Sequence, residues 1–595
     1  MRTNHSASAH IVLRDAAAGH WLAFTRPRQF FQARTLAEVA PALAHVEEAV
    51  AQEGLYAAGF VSYEAAPAFD NSLDVHPDTA FPLLWFRLFE TAEPLELPPL
   101  PTEAEAPAMN WQPSVSQAQF EQAVGQIKAL ICAGHTYQVN YTYRLSAALA
   151  ADPWSFFLRL VAAQDAPYGA FVDTGDWVIC SASPELFFRL DGHRIQCRPM
   201  KGTAARGRTQ AEDLAQAGAL QASQKERAEN VMIVDMVRHD LGRIAQTGTV
   251  EVARLFEAER YPTIWQMTST VEAGTDAGLT DIFRALFPPA SITGAPKVRT
   301  MQIIADLEPL PRRLYTGTIG FFAPGRRAQF NVAIRTLLAH RPTGRAEYGV
   351  GSGITWDSDP AAEWRECGAK TAILSAPVLD FSLLETMRWT PEGGYFLLER
   401  HLGRLQDSAA YFGFALDLPA LRLELERRAV AFAQSPQRIR LLVSKQGRLT
   451  LDAKPLPLPA AQPLRVALAR APVDSSDPFL YHKTTNRKVY ETARAACAAF
   501  DDVLLFNEKG QITESTIANL AVDIDGRLLT PPVSCGLLPG TLRADLLERG
   551  ELTERRITPD DLIQNPRVFL LNSVRGLYPV QVVLPEGSDG LPHVL

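Results

Sequence analysis

Near residues 375–380 the apolar pattern of this chain begins afresh, with SAPVLDFSLLETMRW following a long run of strand-like and helix-like segments. A chain of 595 residues does not close around one core, because single hydrophobic cores stop growing at roughly 250–300 residues. The restart is therefore read as a domain boundary, with residues 376–595 as one unit. Before it, prolines at 94, 98, 99, 101, 107 and 113 fix φ and remove backbone donors. Residues 92–113 read as an extended connector, which divides the first part into a segment 1–110 and a domain 111–375.

Hydrophobic residues make up 47% and charged residues 21%, the balance of a globular chain rather than a disordered one. The formal net charge of −8 gives no bulk attraction to nucleic acid or an anionic membrane, so neither is expected as a partner. Six cysteines stand singly at 132, 180, 197, 367, 497 and 535, with no C-x-x-C pair for zinc or redox work. MRTNHSASAH has no apolar signal core, and no run is long enough to span a bilayer. The expected location is the cytoplasm.

Ser116 with Gln119 resembles a capping box, and Phe120, Val124, Ile127 and Ile131 recur at helical spacing, ending near Gly134. Residues 137–190 read mostly as strands, and 223–240 as a helix. In the second part, alternation over Ile517–Ile524, the pair Asp525-Gly526 and then Arg527–Thr530 predict a hairpin.

Several residues of the first part carry chemistry. Lys201 in PMKGT sits between proline and glycine; it is a nucleophile if its pKa is lowered, and otherwise a surface lysine. Glu185, after Ser183-Pro184, is a positioned general acid or a solvated strand end. Glu226 and Glu229 share a helix face, as do Glu363, Glu366 and Lys370. Two such helices can share a Mg2+, or the acids can simply pair within each helix, Lys225–Glu229 and Glu366–Lys370. The segments SITGAPK, LYTGTIG, NVAIRT and YGVGSGITWDSDP offer glycine N–H groups and Arg335 to a carboxylate, or are ordinary turns.

In the second part, Lys483 in YHKTTNR is a candidate for pyridoxal phosphate (PLP) attachment, and Glu514 in ITESTIANL for its ring nitrogen. The turn in GLLPGTLR can present N–H groups to a phosphate at a helix start, and Arg404 can join it. Singly, each is equally an ordinary helix or turn residue.

The ordered series GHTYQVNY, SASPE, PMKGT, KERAENVMIVDMVRHDLGR, SITGAPK, YTGTIGFF, NVAIRT and GVGSGITWDSDP closely resembles the chorismate-utilising family over roughly 115–375. GFVSYEAAPAFD (59–70) resembles that family's amino-terminal segment. FSLLETMRW, ERHLGRLQDSAAYFG, YHKTTNR, ITESTIANL, GLLPGTLR and FLLNSVRG resemble the class IV PLP-dependent aminotransferases over roughly 380–585. The resemblance implies an α+β protein: large antiparallel sheets packed with helices, followed by a two-subdomain D-amino acid aminotransferase-like fold.

It implies Glu229 and Glu366 as Mg2+ ligands supported by Glu226 and Glu363, and Glu185 as the acid for the departing C4 hydroxyl. It also implies substrate contacts from Gln138, Thr203, Ser291, Thr293, Tyr315, Arg335, Gly351, Gly353 and Lys370. Gln138 stands where water-using relatives carry a lysine base, which disfavours hydration and favours amination. Lys201 matches the lysine of aminodeoxychorismate-forming members, where anthranilate-forming members have alanine. In the second part the resemblance assigns Lys483 to PLP, Glu514 to the ring nitrogen, Arg404 with Gly540, Thr541 and Leu542 to the phosphate, and Asn572, Ser573 and Arg575 to substrate. His135, Asn230, His239 and Gln266 depart from the usual motifs.

The function implied is two-step formation of 4-aminobenzoate: amination of chorismate, then PLP-dependent loss of pyruvate. The alternatives are a general branched-chain or D-amino acid aminotransferase in the second part, or an anthranilate-forming first part. No glutaminase nucleophile motif is present, so a glutamine amidotransferase subunit is the expected partner. A homodimer through the PLP domain is also expected.

Overall fold

The computed structural model describes residues 11–98, 100, 109–149, 152–375, 379–432, 435–456, 462–565 and 567–583. Contacts divide the chain into two units, Met1–Ala205 with Ala217–Val378, and Arg206–Gln216 with Leu379–Leu595.

In the first unit, among the described residues, eighteen strands between Ile11 and Ile354 share one hydrogen-bonded network, and their pairings are antiparallel. Strands on both sides of residue 110 join it. His20–Ala33 and Tyr56–Val61 both pair with Leu84–Leu95, and Tyr56–Val61 also pairs with Thr318–Ala323. The division at residue 110 is therefore not a division of the structure, because the early strands complete the sheet of the later ones. Aromatic rings fill the interior. Phe188, Phe283 and Phe330 meet in stacked and edge-on contacts 5.0 to 5.7 Å between centroids.

The helix Gln117–Cys132 forms as its capping box predicts, with Ser116 as N-cap and Gly134 at φ 77° beyond its end. Gln224–Gly242 likewise forms, N-capped by Ser223. The stretch 137–190 contains a helix that alternation did not predict, Pro153–Gln164. Asp152 accepts from Ser155 N and Pro153 occupies the first turn, where its missing donor costs nothing.

The second unit holds a four-stranded sheet built around Leu383–Thr390 and Gln437–Val443, and an eight-stranded sheet that includes parallel pairs. The predicted hairpin is present as Asn519–Ile524 and Arg527–Thr530. Its turn places Asp525 at φ 53° and Gly526 at φ 77°, the backbone of a type I′ turn. No described helix is long and apolar enough to cross a membrane.

Candidate active sites

The helix Gln224–Gly242 buries Ile233, Val234, Val237 and Leu241 along one stripe. Toward the N-terminus the same stripe turns polar, with half-buried Glu226 and Glu229 and then buried Asn230. Where the apolar stripe ends, a cavity of about 250 Å³ begins. A second helix, Pro360–Thr371, is N-capped by Asp359 and turns Glu363, Glu366 and Lys370 to the same cavity.

Lys201 enters from the strand Met200–Ala205. Its pairing with Ile264–Gly274 shifts register between Met200 and Thr203, a bulge in which Gly202 adopts φ +106°. Lys201 Nζ lies 3.3 Å from Glu229 Oε2. Gly353 makes this approach possible, since a Cβ there would stand 2.6 Å from Nζ. Glu185 follows the fully buried strand Trp177–Ser183 and is itself buried rather than solvated. Ser291 Oγ donates to its Oε1 at 2.6 Å. Burial pushes the Glu185 carboxyl up to about 7, so a large share of it is still protonated at neutral pH.

Glu226 lies above the usual carboxylate range because it is buried and because Glu229 is charged beside it. Glu366 is half exposed; burial raises it, but the Lys370 ammonium 2.7 Å away outweighs that and leaves it low. Among the described residues no three His, Cys, Asp or Glu side chains are already drawn together as a metal cluster. The donor set is nevertheless four carboxylates on two facing helices, two of them mutually repelling. All-oxygen donors with room for water suit Mg2+ and not a thiolate-seeking metal.

Thr203, Ser291, Tyr315, Arg335, Gly351, Gly353 and Lys370 all line this cavity. Thr293 does not. It is fully buried, and its hydroxyl turns back to the Pro289 and Ala290 carbonyls. Gln138 lies behind the lining, fully buried, with neither amide atom hydrogen-bonded, and a Cβ at Gly353 would be 3.1 Å from its Nε2. The pair Lys225–Glu229 is replaced by Lys201–Glu229, whereas Glu366–Lys370 forms. His135 and His239 are exposed, so their departures from the usual motifs lie on the surface. Asn230 and Gln266 instead hold the bulge. Asn230 Nδ2 donates to Lys201 O at 3.1 Å, and Gln266 Nε2 donates to Gly202 O at 3.0 Å.

The second unit has a cavity of about 320 Å³ lined by Lys483, Arg404, Glu514, Gly540, Thr541, Asn572, Ser573 and Arg575. Burial and then the neighbouring Arg404 lower the Lys483 amine to about 8. Arg404 is fixed by two hydrogen bonds to buried Glu385, at 2.9 and 2.7 Å, and one to Pro539 O. His401 Nδ1 lies 2.6 Å from the same Glu385 and its Nε2 lies 3.3 Å from Thr541 Oγ1. Thr541 opens the helix Thr541–Glu548, whose free N–H groups face the cavity end. The side chain of Leu542 packs in a separate apolar cluster, so only its backbone remains as a phosphate donor.

Glu514 is buried and pushed up to about 7. It accepts from Tyr490 Oη at 2.8 Å, Leu538 N at 3.2 Å and Asn519 Nδ2 at 3.1 Å. Gly540 stands against Asn519, where a Cβ would meet Oδ1 at 1.9 Å. A buried amine, a buried carboxylate and a cationic helix-end cradle in one cavity are the donor set that PLP requires. Sequence reasoning missed Glu385, His401, Tyr490 and Asn519. FSLLETMRW, ERHLGRL and ITESTIANL carried a signal, since Glu385 lies within the first, His401 three residues before Arg404 and Asn519 five after Glu514.

Residues 8–376 match the family model described as chorismate binding enzyme, and residues 382–583 match that described as amino-transferase class IV. Aminodeoxychorismate synthase component 1 of Bacillus subtilis (strain 168) is 41% identical over 269 residues, 45% of this chain and 57% of that protein. Anthranilate synthase component 1 of Streptomyces coelicolor (strain ATCC BAA-471 / A3(2) / M145) is 39% identical over 281 residues, 46% of this chain and 54% of that protein. The chain spans about half the length of the curated relatives it matches. The crystal structure of anthranilate synthase component I from Streptococcus pneumoniae TIGR4 aligns with a TM-score of 0.52 at 23% identity, over 63% of this chain and 95% of that one. That likeness is one of fold.

Proposed function

The chain belongs to the chorismate binding enzyme family, and from that premise we propose that it makes 4-aminobenzoate in two steps, one in each unit. In the first, chorismate is aminated to 4-amino-4-deoxychorismate. In the second, that amine loses pyruvate. The observation that carries this reading is a lysine in each cavity beside the partners its chemistry needs.

Near-equal identity to an aminodeoxychorismate-forming and an anthranilate-forming relative does not choose the first reaction. Lys201 does. Its Nζ forms a bond to C2 of the ring, both ring double bonds shift by one position toward C4, and the C4–O bond breaks. Glu185, with a carboxyl near 7 and so partly protonated near neutrality, gives its proton to the leaving hydroxyl. Ammonia then bonds at C4 and the electrons return to expel Lys201. Glu229 and Glu366, with Glu226 and Glu363, would hold Mg2+, which when bound neutralises the substrate carboxylate near C2. Arg335 and the Gly351–Gly353 backbone orient the carboxylates. The ammonia source in this reading is a glutaminase partner.

In the second unit, Lys483 would carry PLP, Arg404 with the Gly540–Leu542 backbone its phosphate, and Glu514 its ring nitrogen. When bound, PLP supplies an electron sink at the substrate amine. Lys483, with an amine near 8, accepts the C4 proton. The enolpyruvyl ether then leaves as pyruvate, and aromatisation of the ring supplies the driving force. No amino acceptor is needed, which is why the lyase reading is preferred to transamination. The homodimer and the cytoplasmic location belong to this reading as well.

The test is product analysis. Holoprotein given chorismate, Mg2+ and an ammonium salt is expected to yield 4-aminobenzoate and pyruvate in equal amounts. Anthranilate as product would overturn the first step. Accumulation of 4-amino-4-deoxychorismate with PLP fully loaded would overturn the second.

A further inference from the structure

The four-stranded sheet of the second unit sorts its residues by parity. Leu383, Met387 and Trp389 on one strand, and Ile439, Leu441 and Val443 on its neighbour, are buried in one apolar cluster. The alternate positions Leu384, Thr386, Arg438 and Arg440 line the cavity that holds Lys483. Arg440 stands opposite Thr386 in the ladder and Arg438 opposite Arg388. Two arginines at i and i+2 thus share one face, so their like charges oppose each other.

Neither guanidinium has a hydrogen bond or ion pair among the described residues. The acid opposite Arg440 in the ladder, Asp452, has its carboxylate 3.5 Å from Lys454. The other three guanidiniums of the cavity are engaged. Arg404 is held by Glu385 and Pro539. Arg487 donates to Thr516 O and lies over the Tyr490 ring, and Arg575 lies over Tyr578. Among the described residues Glu514 is the only acid in the lining, and its oxygens already accept three hydrogen bonds. After a phosphate is placed at Arg404 and Thr541 and Lys483 is given to the cofactor, the cavity still carries two guanidiniums without a partner among the described residues.

We propose that Arg438 and Arg440 form a subsite for the second carboxylate of a dianionic substrate, so that this cavity selects amines bearing two carboxylates over ordinary amino acids bearing one. The proposal rests on the PLP reading of the cavity and deepens it, because 4-amino-4-deoxychorismate carries two carboxylates. A guanidinium pair on a rigid strand binds a planar carboxylate bidentately and rejects a neutral side chain, which leaves both charges unmatched.

The test uses isophthalate and benzoate, which differ by one carboxylate, as ligands of the holoprotein, with binding followed by calorimetry. Wild type is expected to bind isophthalate at least about tenfold more tightly, the weight of one charge-assisted hydrogen-bonded pair. R438Q/R440Q is expected to lose that preference and to raise KM for 4-amino-4-deoxychorismate by about tenfold or more. The PLP absorbance band reports that the variant is folded, and R438K/R440K, which keeps the charges but not the bidentate fork, is expected to restore only part of the preference. Equal binding of the two ligands by wild type, or an unaltered preference in R438Q/R440Q, would overturn the subsite. If wild type releases no pyruvate from 4-amino-4-deoxychorismate, the lyase reading fails, while the binding ratio still decides the subsite separately.

Discussion

Lys201, Glu185 and Lys483 each owe their chemistry to a specific neighbour or to burial. Glu185 is pushed up to about 7 because it is buried, against the opposing effects of the Ser291 hydroxyl, the Met200 N–H and the Lys201 charge. In the proposed first step its proton goes to the leaving hydroxyl, and that role predicts a falling limb. Chorismate consumption is expected to drop about tenfold per pH unit above 7, and Glu185→Gln to remove activity without shifting that limb elsewhere. The same residue leaves a mark on stability. Its folded pKa is raised, so the folded state keeps the proton longer than the unfolded one. The stability it contributes is fully present below about 4.5 and lost as pH rises through about 7. Melting temperature followed against pH should therefore fall more steeply over this window in wild type than in Glu185→Gln. Equal slopes would show that the carboxyl is ionised in the folded protein. For Lys483, with its amine lowered to about 8, the rate of PLP reconstitution is expected to rise with pH and level off above 8.

At the level of elements, local signals were legible and long-range ones were not. The capping box at Ser116–Gln119 and the turn Asp525-Gly526 are decided within four residues, and both formed as read. The helix Pro153–Gln164 was missed because its apolar residues match a strand-rich neighbourhood, and only Asp152-Pro153 signals its start. Acids at helical spacing on two separate helices identified the first cavity, yet the mispairing of Lys225 was invisible, since Lys201 reaches Glu229 across the fold. Thr293 failed for the same reason: a hydroxyl in a glycine-rich segment can face a ligand or its own turn, and the turn won. The bond from Asn519 to Glu514 and its contact with Gly540 likewise depend on tertiary approach. This contact makes its own prediction. Gly540→Ala places a methyl 1.9 Å from Asn519 Oδ1, so it is expected to cost about 1–3 kcal/mol of stability and to weaken PLP binding, read by absorbance titration. Asn519→Ala combined with Gly540→Ala relieves the clash but gives up the hydrogen bond to Glu514, so the two losses should be less than additive. A Gly540→Ala protein with wild-type stability and PLP affinity would show that the cradle is slack.

On the scale of the whole chain, the two cavities belong to different units, and the proposed function gives them different cofactors. Their chemistry should therefore separate. Chelation with EDTA is expected to stop chorismate consumption and to leave pyruvate release from supplied 4-amino-4-deoxychorismate intact; loss of both would mean that one metal serves both steps. The most direct measurement is quantification of chorismate, 4-amino-4-deoxychorismate and 4-aminobenzoate for Lys201→Ala and Lys483→Ala supplied with chorismate, Mg2+, PLP and ammonium. Lys201→Ala is expected to leave chorismate unconsumed yet convert added 4-amino-4-deoxychorismate, and Lys483→Ala to accumulate 4-amino-4-deoxychorismate. Wild-type amounts of 4-aminobenzoate from chorismate by either variant would contradict the assignment of one lysine to each step.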